Sequence, residues 1–295
     1  MTPSEAAYLV ALKEIVENRK NVLETTNARK DFGQMKQVMD FALINTDIYL
    51  DVSVPELLPT GVSRLSNDEV KSKFGTEIKL QDNDSGYYAA IYEDARTGKY
   101  IYANRGSGTN LRKIQDRADW VTNRAQGEGK ETPQYKIAIR NAQNLYKRIG
   151  NNNITYTGHS LGGGLAAAQA IVVRGHAIVF NAAGVHPKTL ARYDRNFDNV
   201  DQYVTSYNIR GEALSFVQDN AKKIAAAYVG NPSWGLVNPL RIPLARKIAS
   251  IPKVRGERHY LNPVFLGDAD GDYGDLNFKP MNKGQTITHT RRLHG

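Results

Sequence analysis

The chain has no cysteine among its 295 residues, so disulfide bonds are excluded. It also lacks an apolar run of the roughly 18 to 20 residues needed to cross a bilayer. Charged side chains such as Glu5, Lys13 and Glu17 interrupt the apolar residues near the N-terminus, which predicts neither a membrane span nor a Sec signal peptide. No stretch has the composition of an inter-domain linker, and 41% hydrophobic residues suffice for one sizeable core. We therefore predict a single domain over residues 1–295.

Acidic residues are fewer than basic ones, at 30 against 39, which gives a formal net charge of +9. Such a charge favours approach to an anionic surface. The basic residues are spread along the chain, and there is no helix-turn-helix, RRM signature or zinc-finger spacing. We predict no nucleic-acid partner, and the sequence leaves open whether the basic surface faces a membrane or only solvent.

The most informative motif is G-H-S-L-G at residues 158–162, which fits the G-x-S-x-G nucleophile elbow. Residues 154–157 before it are β-branched or aromatic and predict a short strand. The alanine-rich residues 165–170 after it predict a helix. A sharp turn between a strand and a helix is the setting in which this motif presents a nucleophile, so Ser160 is the predicted nucleophile.

The remaining periodicities predict an α/β protein with a mainly parallel central sheet. Strands alternate with helices on both sides of the elbow, and additional helices within about residues 1–80 are expected to pack on the sheet. This arrangement favours the α/β-hydrolase fold. The predicted helices cover residues 5–22, 32–44 and 134–149, and the predicted strands cover residues 86–92, 99–103, 176–180, 202–209 and 258–265.

A serine hydroxyl becomes a good nucleophile when a histidine takes its proton and a carboxylate orients that histidine. In this fold the chain order is serine, acid, histidine. Glu212 directly follows the strand predicted over residues 202–209 and is the preferred acid. Asp219 lies seven residues further on, in the next predicted helix, and is the reserve candidate.

Three histidines follow the acid in the chain. His289 comes after the last predicted strand, where a loop or short helix can bring it over Ser160, and it is the preferred base. His259 lies inside that strand and is the reserve, since a strand interior restricts a mobile base. His294 is one residue from the end of the sequence and is interpreted as a terminal residue.

The tetrahedral intermediate needs two N–H donors at its oxyanion. Leu161, directly after the nucleophile, supplies one donor from its backbone. The N-R-G-S turn at residues 104–107 follows an earlier predicted strand, and Ser107 is the natural second donor.

Taken together, R-G-S at residues 105–107, D-W at 119–120 and G-H-S-L-G-G at 158–163 resemble the class 3 (fungal-type) lipase family. F-N-A-A-G at residues 180–184, and R-G-E-A-L-S at 210–215 with Gln218, resemble its bacterial branch of secreted or injected phospholipases A1. The resemblance covers roughly residues 87–289. Glu212 stands where that family usually has aspartate.

The resemblance implies hydrolysis of the sn-1 acyl ester of glycerophospholipids with no required cofactor and a phospholipid membrane as substrate. It also implies a secreted or delivered effector, cytoplasmic before export, and an inhibitory or immunity protein as partner. A triacylglycerol lipase or general carboxylesterase would use the same machinery. A non-catalytic lipid-binding protein on a hydrolase fold is the more distant alternative.

Two further segments can each be interpreted in two ways. The apolar and proline-rich stretch with Trp234, Leu236 and Leu240 predicts either a lid or interfacial loop, or an insertion packed on the sheet. A run of alternating carboxylates loosely resembles a calcium loop but lacks the twelfth-position glutamate of an EF-hand, so an acidic surface turn is the preferred interpretation. Its candidate ligands are Asp268, Asp270, Asp272 and Asp275.

Overall fold

A computed structural model describes residues 26–107, 122, 125–126, 128–209, 213–230, 245, 249 and 251–261. Within these ranges the α-helices are α1 Thr26–Asp47, α2 Asn67–Phe74, α3 Pro133–Ile149, α4 Leu161–Val173, α5 Pro187–Ala191 and α6 Ala213–Gly230. The strands are β1 Val62–Arg64, β2 Gln81–Asp82, β3 Tyr87–Asp94, β4 Lys99–Asn104, β5 Ile154–His159, β6 His176–Phe180, β7 Val204–Ile209 and β8 Glu257–Leu261.

The strands form one sheet in the order β1-β3-β4-β5-β6-β7-β8, with β2 paired to β3. From β4 to β8 every neighbouring pair is parallel, whereas β1 and β4 run antiparallel to β3. β5 is central in this order, with β6 and β7 on one side and β4 and β3 on the other. Loops that follow the parallel strands therefore meet at one edge of the sheet, which is where ligands bind in open α/β sheets.

Local sequence signals explain where the main elements begin and end. The Asp94 carbonyl accepts hydrogen bonds from Thr97 N at 3.1 Å and Gly98 N at 2.8 Å, and Gly98 adopts a φ of 65°, which closes the β3–β4 hairpin. At α3, Pro133 occupies the first turn, where its missing N–H is not needed, and Gly150 follows the helix with a φ of 71°. These signals fix the connections that lead into β4 and β5.

Helices cover the sheet on both faces and bury two hydrophobic cores. One face packs against α3 and α4, and every residue of α4 is buried. The other face packs against Phe41 and Ile44 of α1 and against Ile48 directly after it, and the spacings of three and four residues put these side chains on one side. The resulting order of layers is helix, sheet, helix, with the central strand β5 buried between them.

The α/β fold with a mainly parallel sheet is confirmed. The helices predicted over residues 32–44 and 134–149, the β3–β4 hairpin and the strand over residues 176–180 all occur close to their predicted positions. The helix predicted over residues 5–22 lies outside the described residues. The strand over residues 62–64 was not predicted, because three residues are too few to show an alternating pattern.

Candidate active site

Ser160 occupies the sharp turn between the end of β5 and the start of α4. Its backbone adopts a φ of 55° and a ψ of −123°, a region that residues other than glycine rarely populate. Three backbone hydrogen bonds hold this conformation: Ser160 N donates to Phe180 O at 3.1 Å, and Ser160 O accepts from Ala183 N at 2.8 Å and from Gly164 N at 3.2 Å. The backbone thus has the geometry that the motif predicts.

Glycines allow the elbow to form because no side chain fits at their positions. A Cβ at Gly158 would lie 2.2 Å from the carbonyl carbon of Gly162, and a Cβ at Gly163 would lie 2.6 Å from Ala182 Cβ. Real Cβ atoms do not approach neighbours this closely. The G-x-S-x-G-G spacing is therefore required by the close packing of the first turn of α4 against β5 and against the residues that follow β6.

The turn predicted to supply an oxyanion donor lies beside the elbow. Asn104 at the end of β4 is the parallel partner of Gly158, so residues 105–107 continue next to His159 and Ser160. A Cβ at Gly106 would lie 2.5 Å from the His159 carbonyl oxygen. Leu161 begins α4, where the unpaired N–H groups and the positive end of the helix dipole favour negative charge. The structure thus brings the segments of both predicted donors, Ser107 and Leu161, to the turn that carries Ser160.

A buried polar network fixes the strand end that precedes this turn. Asn104 Nδ2 donates to Gln169 Oε1 of α4 at 2.7 Å, and Asn104 Oδ1 accepts from the Tyr87 hydroxyl at 3.3 Å. The Tyr87 and Tyr102 hydroxyls lie 2.7 Å apart, and burial raises the pKa of Tyr102 to about 12, so it stays protonated at neutral pH. The sequence placed Asn104 only as the first residue of the N-R-G-S turn and missed its role in this network, although a polar residue at the end of an apolar strand is a signal for such a role.

Arg105, the first residue of the R-G-S sequence, is held against the sheet. Its guanidinium carbon lies 4.8 Å from the centre of the Tyr88 ring, within the range of a cation–π interaction, and its backbone N donates to Tyr88 O at 3.0 Å. These two contacts fasten the start of the turn to β3.

The preferred acid and base, Glu212 and His289, lie outside the described residues. The described neighbours of Glu212 are the end of β7, at Ile209, and the start of α6, at Ala213. β7 is the second strand from β5, and adjacent strands are about 4.8 Å apart. In the chain, Glu212 therefore falls between the end of β7 and the start of α6.

The reserve acid Asp219 lies on α6 and pairs with Arg258 of β8. Its two carboxylate oxygens accept from the Arg258 guanidinium at 2.9 and 3.1 Å, and one also accepts from the Tyr260 hydroxyl at 3.1 Å. Burial alone would raise the pKa of Asp219, but the hydrogen bonds and charge of Arg258 outweigh it and lower the pKa below its ordinary value. This carboxylate thus links α6 to β8.

The reserve base His259 lies within β8, as predicted. Its ring stacks on Tyr207 of the neighbouring strand, with 5.0 Å between ring centres and 20° between planes. Its Nε2 lies 3.2 Å from a carboxylate oxygen of Glu257. Both contacts hold the imidazole against the sheet.

Gln218 connects α6 to the loop beside the elbow. Its buried side chain donates from Nε2 to Ala182 O at 3.1 Å and accepts at Oε1 from Val254 N at 3.4 Å. Ala182 precedes Ala183, whose N–H binds the Ser160 carbonyl. The sequence singled out Gln218 only as part of a resemblance, and its position shows a physical role in fastening three segments together.

The predicted lid residues Trp234, Leu236 and Leu240 lie outside the described residues. The same is true of the weak calcium candidates Asp268, Asp270, Asp272 and Asp275, so both stay predictions. In the part of the chain that is described, no group of three or more His, Cys, Asp or Glu side chains is arranged to hold a metal ion. Among those same residues, no helix has the length and apolarity to span a membrane.

The helix-sheet-helix layers, the parallel strands β4 to β8 and the serine at positive φ between β5 and α4 define an α/β-hydrolase. Residues 40–265 match the family model of the Tle-like phospholipase domain. That match covers well over half of the chain, and the chain belongs to this family of phospholipase-like proteins.

A known relative is the extracellular phospholipase A1 of Serratia liquefaciens, 37% identical over 163 residues. The match covers 54% of this chain and 47% of that protein, so the chain matches about half the relative's length. Similar solved structures include M37 lipase, with 15% identity, a TM-score of 0.35 and coverage of 63% of this chain and 69% of the other. Another is an esterase of the bacterial hormone-sensitive lipase family, with 8% identity, a TM-score of 0.30 and coverage of 100% and 96%.

Proposed function

We propose that the chain is a phospholipase A1 that hydrolyses the sn-1 acyl ester of glycerophospholipids through a serine acyl-enzyme. The observation that carries the proposal is Ser160, held at positive φ between β5 and α4 in a member of the Tle-like phospholipase domain family. The name of the Serratia relative supports the substrate class. The resemblance of the R-G-S, D-W and elbow motifs supports placement near class 3 lipases, in the branch of bacterial phospholipases A1.

In the proposed mechanism His289 takes the proton from the Ser160 hydroxyl as the oxygen attacks the sn-1 carbonyl carbon. Glu212 orients the histidine and stabilises the imidazolium. The N–H groups of Ser107 and Leu161 bind the oxyanion. The imidazolium then protonates the glycerol oxygen, and the lysophospholipid leaves. Water, deprotonated by His289, cleaves the acyl-enzyme and releases the fatty acid.

The contacts of the reserve residues support Glu212 and His289 in these roles. Asp219 is engaged by Arg258 through both of its oxygens, and His259 stacks flat on Tyr207 beside Glu257. The catalytic histidine must reach both the nucleophile and the leaving group, and the carboxylate that orients this histidine must face its ring. Both reserve side chains are instead committed to contacts that join α6, β7 and β8.

We also propose that the protein acts outside the cell that makes it, because the Serratia relative is described as extracellular. An enzyme that attacks phospholipid membranes endangers its producer, which supports an inhibitory protein as partner. The packing of α1 on the sheet supports one domain that includes the N-terminal helices.

The direct test is Ser160→Ala. We expect kcat to fall by about 10⁶-fold, as when a serine protease loses its nucleophile, with an unchanged melting temperature. Fatty-acid release by this variant at the wild-type rate would overturn the assignment of Ser160 as the nucleophile.

Substrate class and position are tested with wild-type protein on phosphatidylglycerol and phosphatidylcholine labelled separately in the sn-1 and sn-2 chains, and on triacylglycerol. We expect release of the sn-1 label from phospholipids. Preferential release from triacylglycerol would favour the neutral lipase alternative.

A further inference from the structure

Tyr49 lies in the turn that follows α1, and a buried carboxylate two residues earlier fixes this turn. Asp47 accepts hydrogen bonds from the Tyr92 hydroxyl at 2.8 Å, from Val54 N at 2.9 Å and from Arg64 Nε at 3.0 Å. Its side chain is fully buried. Because Asp47 is tied to β1, β3 and the following loop, the position of Tyr49 relative to the sheet is set by the fold and not by its own side chain.

The Tyr49 side chain reaches the elbow from the α1 face of the sheet. Its hydroxyl lies 3.4 Å from Nδ1 of His159, the residue before the nucleophile. The two rings meet edge to face, with 6.4 Å between their centres. A phenol from the N-terminal part of the chain thus contacts the strand end that carries Ser160.

The same hydroxyl also lies against the R-G-S turn. A Cβ placed on Gly106 would lie 2.3 Å from the Tyr49 hydroxyl oxygen and 2.5 Å from the His159 carbonyl oxygen. Gly106 is therefore enclosed between the tyrosine hydroxyl and the elbow backbone. Ser107, the next residue, is the proposed oxyanion donor.

We infer that Tyr49 is a positioning residue of this site, which holds the Gly106–Ser107 turn against the elbow through its hydroxyl contacts with Gly106 and His159. The inference rests on the proposed function, since it concerns the oxyanion donors of that reaction. Tyr49 itself performs no chemistry: it acts through the backbone of the turn and the ring of His159.

The physical reason is the precision that an oxyanion donor needs. A donor acts on the transition state when its nitrogen lies about 2.7 to 3.1 Å from the developing oxyanion. Removal of a whole donor lowers kcat by about 10²- to 10³-fold. A donor that is still present but less precisely placed is expected to lower kcat by a smaller factor. Substrate binding through the acyl chain does not depend on the same contact, so KM is expected to stay unchanged.

The test replaces Tyr49 with phenylalanine, which keeps the ring and removes the hydroxyl. With a soluble short-chain ester, we expect kcat to fall about ten-fold with KM within about two-fold of wild type. The inhibition constant of a trifluoromethyl ketone, whose adduct with serine carries an oxyanion, should rise by the same factor as kcat/KM falls. The melting temperature should be unchanged. Tyr146→Phe, at an exposed tyrosine of α3, is the matched control and should change none of these values.

A double-mutant cycle tests whether Tyr49 acts through its partner. His159→Phe keeps an aromatic ring and removes Nδ1, and the double variant with Tyr49→Phe should lose no more kcat than the worse single variant. Fully additive losses would overturn the role of His159 in the inference. A fall in kcat matched by a lower melting temperature and a changed KM would overturn positioning in favour of a purely structural role.

The outcomes separate this inference from the proposed function. If Tyr49→Phe keeps wild-type kcat and inhibitor binding while Ser160→Ala abolishes turnover, the positioning role is overturned and the phospholipase proposal stands. If the wild-type protein hydrolyses no ester, the proposed function fails and the positioning role fails with it.

Discussion

Gly162 sets how closely the first turn of α4 approaches the end of β4. A Cβ at this position would lie 2.2 Å from the Asn104 carbonyl oxygen and 2.9 Å from the carbonyl carbon of Arg105. Both are backbone atoms that cannot turn aside as a side-chain end can. Gly162→Ala should therefore push the R-G-S turn away from the elbow. We expect a loss of about 1 to 3 kcal/mol in the free energy of unfolding, measured by denaturant titration, and a lower kcat.

Gly33 offers the matched control. It lies within α1, and a Cβ there would meet nothing within 4 Å apart from its chain neighbours and the backbone of its own helix. Gly33→Ala should raise the free energy of unfolding by up to about 1 kcal/mol, because alanine is the better helix former, and should leave kcat unchanged. If Gly162→Ala, like Gly33→Ala, lowered neither the free energy of unfolding nor kcat, the close approach of α4 to β4 would be contradicted.

At the scale of elements, an ion pair between Asp219 and Arg258 helps to link α6 to β8, the last strand in the described part of the sheet. The pKa of Asp219 is lowered by Arg258, which lies 2.9 Å away, against the opposing effect of burial. Lys253 adds a more distant positive charge at 4.0 Å. A carboxyl whose pKa is lower in the folded state stabilises the fold above its ordinary pKa of 3.8, and this contribution disappears as pH falls through the lower folded value.

Asp219→Asn should accordingly reduce the free energy of unfolding by on the order of 1 kcal/mol at pH 7, the scale of a partly exposed ion pair. The difference in the free energy of unfolding between variant and wild type should become smaller at pH values below the ordinary pKa of 3.8. Denaturant titrations from pH 7 to pH 3 measure this difference. Arg258→Gln should reproduce the same pH dependence, and a difference that stays constant down to pH 3 would contradict the assigned pair.

Elements with a strong local signal were predictable from the sequence, and contacts across the sheet were not. The elbow was recognised because its glycines, its strand and its helix are contiguous in the chain. The role of Asn104 depends on Gln169 in a helix 65 residues away, and that of Tyr49 on His159, 110 residues away. No spacing rule relates such pairs, because the topology of the sheet decides which strand ends meet. The predicted acid and base rest on their order in the chain, on their positions after predicted strands and on the family resemblance, and on no local motif like that of the elbow.

At the scale of the whole molecule, the formal charge of +9 predicts that association with membranes depends on salt and on lipid charge. Each Lys or Arg near an anionic surface contributes about 1 kcal/mol, and this attraction is screened as the Debye length falls from about 30 Å at 0.01 M to about 8 Å at 0.15 M salt. The Ser160→Ala variant of the full chain allows binding to be measured without hydrolysis. Its association with vesicles that contain phosphatidylglycerol should weaken steeply as salt is raised.

Vesicles of phosphatidylcholine alone are the control, since they carry no net charge. We expect weaker association with them and little dependence on salt, as measured by co-sedimentation. Equal binding to both kinds of vesicle at every salt concentration would show that charge does not direct the protein to its substrate. Apolar contacts would then have to supply the affinity, and the stretch around Trp234 would be the first segment to substitute, because it combines large apolar side chains with nearby basic residues.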